Sequence, residues 1–354
     1  MVRKNSMRKF LRAPNKKTTV AQGSGFRAAG VRPEPTAQNP EPERPEVMLI
    51  GALSLLLFVH IWSAGGSFAA AAPKHLNVVA TLSTFADLAK TVGGDFVDVS
   101  SVASPKFNPH FIEPKPSDVM EVKRAALLIH AGLDLELWRG PLLDAAGNIA
   151  VFPGQPGELD LSQNIELLEV PTRSISRSEG DIHIYGNPHY WVDPDNAKPM
   201  AQAIARKLSE IDPAHAEAYQ QQLNAFLSRL DHKLQEWRSR LKPYAGQEIV
   251  GYHNEWPYLM RFAGLRMEQF LEPKPGIPPT PKQIEFIEQY VNAHQIRGIV
   301  QSTFFPTQAA EVIGKRTGSK VMLLCQSVGE VAHASDYLAM IDYNVDQLVK
   351  GLQR

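Results

Sequence analysis

The chain has 354 residues, 44% hydrophobic and 21% charged, with 37 basic and 37 acidic side chains. That is the balance of a folded protein long enough for two ordinary domains, and it excludes a nucleic-acid binder working through net basic charge. The single cysteine, Cys325, excludes an intrachain disulfide, a cysteine-based zinc knuckle and a c-type haem attachment.

The first 72 residues stand apart. Arg3, Lys4, Arg8, Lys9, Arg12, Lys16 and Lys17 open a basic stretch that gives way to VRPEPTAQNPEPERPEV, a composition expected to be disordered. Met48 to Trp62 is an apolar run of about 15 residues, short of the roughly 20 that cross a bilayer. It leads into SAGGSFAAAAP, a small-residue region suited to cleavage. An apolar core followed by small residues is the pattern of a secretory signal peptide, with an uncleaved membrane anchor as the alternative. No cysteine follows the run, so no lipid anchor is expected there.

From residue 73 onward, apolar runs alternate with helical patterns. Strands are expected at 76–83, 96–102 and 126–132, with a short one at 165–167, and helices at 85–94 and 116–123. Residues 212–242 differ in length. Asp212 can cap, Pro213 suits a first helical position, and Tyr219, Leu223, Phe226, Leu227, Leu230, Leu234, Trp237 and Leu241 recur at helical spacing. So long a helix serves naturally as a rod between two lobes; the alternative is one packing helix inside a single domain. Beyond it, strands are expected at 248–253, 298–303 and 320–326, and helices at 282–293, 307–317 and 336–352. The expected fold is α/β: an N-terminal lobe at 73–211, a linker helix at 212–242 and a C-terminal lobe at 243–354, each lobe a parallel sheet flanked by helices.

Three of the eleven histidines share a setting. His110 lies in FNPHFIEP, His189 in GNPHYWVDP and His253 in GYHNEWPY. Each sits in or beside an expected loop with proline or aromatic neighbours. In parallel sheets ligands bind beyond the carboxyl ends of the strands, where loops converge from distant parts of the chain. Imidazole nitrogen suits zinc, copper, nickel and iron, and three such donors with one more satisfy tetrahedral Zn²⁺. The ordinary role of a lone histidine is a hydrogen-bonded structural one. The repeated Asn-Pro-His favours ligation, because proline sets the backbone ahead of the side chain. His130 reads as structural, His215 and His232 as solvated positions on the long helix, and Cys325 as a buried small hydrophobe. Glu113 and Asp193 each read either as a partner orienting a neighbouring histidine or as a turn cap, and Trp256 and Tyr258 as core aromatics.

The segments NPHxxEPxPSD (108–118), AxLxxxAGLDLExW (125–138), NPHYWVDP (187–194) and GYHNEWPY resemble, in order, the solute-binding proteins of zinc- and manganese-type metal-ion ABC transporters. The resemblance runs from about 76 to 352. It implies two α/β lobes joined by one rigid helix, with the metal between them on His110, His189 and His253. The family's fourth ligand is an acid near the C-terminus. Here Gln326 falls at that position, and water or Glu330 is the alternative. Zinc-specific relatives carry a His- and Asp-rich loop before the second histidine. This chain has TRSISRSEGDIHIYG, with His183 alone, and no metal-scavenging loop is expected. The resemblance further implies a periplasmic monomer that is not an enzyme. It would bind Zn²⁺, with Mn²⁺ or Fe²⁺ as alternatives, and deliver it to an inner-membrane permease with its cytoplasmic ATPase. The competing readings are a secreted zinc hydrolase and a metal-binding adhesin on the same scaffold. Neither an H-E-x-x-H helix nor a G-x-S-x-G elbow is present to support the hydrolase.

Overall fold

The computed structural model describes residues 75–172, 184–274 and 276–353, all within one compact unit, Ala69–Arg354. The signal-peptide reading at 48–72 and His183 lie outside the described residues.

The first sheet contains β1 (Leu76–Ala80), β2 (Val97–Ser101), β3 (Leu127–His130) and β4 (Glu158–Asp160), in the order β2-β1-β3-β4. The second contains β5 (Glu248–Gly251), β6 (Arg266–Phe270), β7 (Gly298–Ser302) and β8 (Lys320–Leu324), in the order β6-β5-β7-β8. Every pairing is parallel. The two sheets therefore repeat one topology, although no sequence repeat announces it. Helices cover them: α1 (Ser83–Gly93), α2 (Pro116–Arg124), α3 (Arg139–Ala146) and α4 (Ala197–Ile211) in the first lobe, then α6 (Pro257–Ala263), α7 (Pro281–His294), α8 (Gln308–Thr317) and α9 (Tyr337–Leu352) in the second. Strands β3 and β7, shielded on both faces, are buried along their whole length, apolar until His130 ends the first and Gln301 and Ser302 end the second.

The long helix α5 (Ala216–Leu241) lies between 3-10 turns at Pro213–His215 and Lys242–Tyr244. Its buried stripe runs from Tyr219 to Leu241. It packs on α1 and α4 in one lobe and on α9 in the other. Trp237 Nε1 donates to Asp342 Oδ1 on α9 at 2.7 Å, and Arg240 pairs with Asp346 one turn on. The helix is thus embedded along the seam and is no free rod. Among the described residues no helix is long and apolar enough to cross a membrane.

The lobes share one hydrophobic core. Phe85, Tyr190 and Trp191 from the first, and Tyr219 from α5, belong to the same buried cluster as Trp256, Met340, Tyr337 and Leu348 from the second. Hydrogen bonds stitch across it. Trp191 Nε1 donates to the Gln326 carbonyl at 2.8 Å, Tyr337 donates to the Trp191 carbonyl at 2.9 Å, and Ser83 donates to the Val328 carbonyl at 2.8 Å.

Some elements differ from the sequence reading. Residues 165–167 form no strand, and the fourth strand is the preceding Glu158–Asp160, in which only Leu159 is buried. A three-residue edge strand with acids at both ends has no apolar run to betray it. Helix α4 escaped because four of its seven buried residues are alanines and Pro199 reads as a break. Proline is tolerated in a first turn, where its missing N–H has no intrahelical partner. The charged edge strand β6 and the short α3 and α6 were likewise not read.

Candidate metal centre

In each sheet the strand order turns outward from the two central strands, and the loops beyond their carboxyl ends face the seam between the lobes. His110 follows β2. The Asn108 side-chain oxygen accepts from the His110 N–H at 3.0 Å and opens a 3-10 turn with Pro109 at its first position. Trp138 Nε1 then donates to the Pro109 carbonyl at 2.9 Å, pinning the turn to the lobe. The second Asn-Pro-His repeats the device. Asn187 Oδ1 accepts from the His189 backbone N–H and from its ring Nδ1–H, both at 3.0 Å. His253 comes from the other lobe, two residues beyond β5, and its Nδ1–H donates to Glu272 Oε2 at 2.7 Å.

With Nδ1 of His189 and His253 occupied, Nε2 is the nitrogen each turns to the third ring. The Nε2 atoms of His110 and His189 stand 3.1 Å apart. The ring centroids are separated by 5.2, 5.9 and 5.7 Å. One nitrogen from each of the three histidines lies within 4.8 Å of the other two. Two nitrogens bound tetrahedrally to one zinc sit about 3.3 Å apart, so the spacing fits a single small cation. The three residues are 8%, 0% and 4% exposed, which limits access of competing water. Among the described residues no carboxylate joins this group.

A second polar layer adjoins His253. The Glu255 carboxylate accepts from the Ser302 N–H at 3.1 Å and from the Gln326 side-chain amide. Burial pushes its pKa up to about 8, against the pull of His253 and Ser302. Gln326 Nε2 also donates to Ser302 Oγ at 3.0 Å, and its Oε1, buried, has no hydrogen-bond partner among the described residues. A buried amide oxygen left in that state is costly unless a cation or water meets it. Glu330 is engaged elsewhere. One oxygen accepts from Thr303 and the other from the N–H groups of Gln326 and Ser327, at 2.9 and 3.1 Å.

The remaining candidates have structural surroundings. His130 Nε2 meets Glu158 at 2.9 Å in the first lobe. Burial works against the charge of Glu158, yet His130, the Gly154 N–H and Arg139 together hold it down to about 2. Asp193 caps the turn at Pro194–Asn196 and pairs across the seam with Arg261 at 2.9 Å. Desolvation pushes its carboxyl up to about 6 despite that pairing. Glu113 is exposed. His232 is exposed on α5, but the solvated reading fails for His215. Its ring stacks on Phe96 with centroids 4.2 Å apart, and Nδ1 meets Asp212 at 2.7 Å. The helix starts one turn later than expected, and that turn folds His215 back onto the first lobe. Cys325 is buried, which raises its thiol pKa. Glu272 was missed altogether, because only the β5–β6 pairing brings it beneath His253. Asn187 stood in a recognised motif, but nothing in the motif signals its bonds to the second lobe.

The sequence profile described as zinc-uptake complex component A, periplasmic, matches residues 78–351. The chain is 26% identical over 288 residues to the iron-binding protein YfeA of Yersinia pestis, covering 78% of this chain and 86% of that one. It is 24% identical over 311 residues to the manganese ABC transporter substrate-binding lipoprotein PsaA of Streptococcus mitis, covering 85% and 97%. The crystal structure of ZnuA superposes with a TM-score of 0.66 at 23% identity, covering 78% of this chain and 99% of that one. With a profile match across most of its length, the same two-lobed fold and three histidines converging at the seam, the chain belongs to the zinc-uptake component A family of metal-ion substrate-binding proteins of ABC transporters, and it is not an enzyme.

Proposed function

We propose that this protein captures Zn²⁺ in the periplasm on His110, His189 and His253 and hands it, as a monomer, to an ABC permease driven by a cytoplasmic ATPase. The observation carrying this reading is the donor set: three buried imidazole nitrogens within 4.8 Å of one another, drawn from both lobes. The named relatives divide between iron and manganese, so the choice of metal rests on donor chemistry. Imidazole-rich tetrahedral sites favour zinc, whereas Mn²⁺ prefers oxygen-rich octahedral ones. The fourth position falls to the Gln326 amide oxygen or to water; Glu330 is held by Thr303 and two backbone N–H groups. A hydrolytic role finds no support at Glu255, whose two oxygens accept from the Ser302 N–H and the Gln326 side-chain amide.

Competition titration of the apo protein tests the reading. Zn²⁺ should bind at least about 100-fold more tightly than Mn²⁺, and alanine at His110, His189 or His253 should each weaken zinc binding strongly. Equal affinities would remove zinc as the cargo. A His189→Ala protein that binds zinc like the wild type would remove the site.

A further inference from the structure

The side chain of Asn187 has bonds in both lobes. Its oxygen takes the two His189 hydrogens described above. Its Nδ2 donates to the Asn254 carbonyl at 2.9 Å and to Glu169 Oε2 at 3.0 Å. Asn254, next to His253, returns a bond from its own Nδ2 to the same Glu169 oxygen at 2.7 Å. The backbone closes the arrangement. The Asn187 N–H donates to the Leu168 carbonyl at 2.9 Å, Tyr258 donates to the Asn187 carbonyl at 2.8 Å, and the Leu168 N–H donates to the Tyr258 hydroxyl at 3.0 Å. Glu169 holds φ at +55°, a left-handed conformation that is strained for a non-glycine residue. Such strain persists where surrounding bonds over-determine it.

We propose that Glu169, Asn187 and Asn254 form a clamp that sets the distance between His189 and His253, and so positions the two lobes' ligands before any metal arrives. The proposal rests on the three-histidine reading of the site. Asn187 is saturated: two acceptor bonds hold His189 with Nε2 turned inward, one donor bond ties that histidine's turn directly to Asn254, the residue after His253, and the other reaches it through Glu169. Glu169 adds a charged acceptor shared by both amides, and charge-assisted bonds are stronger and more directional than neutral ones. A pre-set nitrogen spacing favours a cation whose preferred geometry matches it and penalises one that needs the ligands to spread.

The test uses Glu169→Ala, Glu169→Gln and Asn187→Asp in the full chain, beside His189→Ala. Glu169→Ala removes the shared acceptor at an exposed position, so the protein should fold. Glu169→Gln retains an acceptor oxygen. Asn187→Asp retains both bonds to His189 but loses the donor bonds to Asn254 in the second lobe and to Glu169. Three quantities are measured: zinc affinity by chelator competition, the visible spectrum of the Co²⁺-loaded protein, and the melting temperature of the apo protein. Glu169→Ala and Asn187→Asp should weaken zinc by about 10-fold or more and alter the Co²⁺ bands. Glu169→Gln should restore both, and the apo melting temperature of Glu169→Ala should stay near wild type. The clamp is overturned if Glu169→Ala leaves zinc affinity and the Co²⁺ spectrum unchanged, or if affinity falls only alongside apo stability. His189→Ala separates the two levels. Full zinc binding by that variant refutes the metal site itself, whereas loss of binding there, with wild-type clamp variants, refutes the clamp alone.

Discussion

Glu272 lies 19 residues from His253 in sequence and 2.7 Å from its ring in space. It accepts the Nδ1 hydrogen, which leaves Nε2 as the lone-pair donor, and it also accepts from the Gly276 N–H at 3.2 Å. A carboxylate in that place orients the ring and strengthens its donor nitrogen. Glu272→Ala should weaken zinc by about 10- to 100-fold. Glu272→Gln keeps an acceptor but no charge, and should fall between that variant and wild type. A zinc titration in which both variants match wild type would show that Glu272 merely braces its loop. The three histidines that the fold brings together stood out in the sequence, since proline and a repeated tripeptide surround two of them and a strand end carries the third. Their partners did not. Asparagine and glutamate are common in loops, and nothing local tells a residue bonded to a ligand from one facing solvent.

At the scale of elements, the N-terminus of α9 meets α1 through one carboxylate. The Tyr337 N–H donates to Asp87 Oδ2 at 2.9 Å. Desolvation pushes the Asp87 pKa up to about 6 from 3.8, helped by Asp336 and opposed by the Tyr337 bond and Arg229. A carboxyl with a higher pKa folded than unfolded binds protons more tightly in the native state. Its stabilising contribution is complete below about pH 3.8 and is lost as pH rises through about 6. Asn at this position keeps an acceptor and never ionises. Between pH 4 and 7, the stability of wild type relative to Asp87→Asn should therefore fall by on the order of 2 kcal/mol. Urea melts of both apo proteins at four pH values would check this, and parallel curves would refute it. Most elements were legible from periodicity, the long helix above all. The losses were where packing decides, as in the alanine-built face of α4 and the three-residue β4, which are too small or too polar to declare a period.

Over the whole molecule, the shared core argues against two lobes that unfold separately. A hinge between independent domains needs a polar, lightly packed interface. Here Trp191, Trp237, Trp256, Tyr219 and Tyr337, all fully buried, belong to one cluster. Gly351 of α9 sits so close to Met322 of β8 that a Cβ would overlap its side chain. The apo protein should melt in one transition, with coincident curves by far-ultraviolet circular dichroism and tryptophan fluorescence. Zinc at about 100 times its Kd should add about 2.7 kcal/mol of stability by mass action. Two resolved transitions, one of them insensitive to zinc, would refute a single cooperative core.

The sequence by itself determined the strand–helix alternation, the presence of one long helix at α5, the apolar faces and the loop settings of the three histidines. Each depends on residues near one another in the chain, where a period of two or 3.6 or a proline acts directly on the backbone. Only the tertiary structure decided that both sheets share one strand order, that α5 is embedded rather than free, and that His215 packs on Phe96. It also decided which side chains orient the three histidines. Glu272 reaches His253 across paired strands, and Asn187 reaches Asn254 across 67 residues of chain. Such contacts are made by the closing of the fold, and hydrogen-bond partners separated by tens of residues leave no periodic trace in the order of the amino acids.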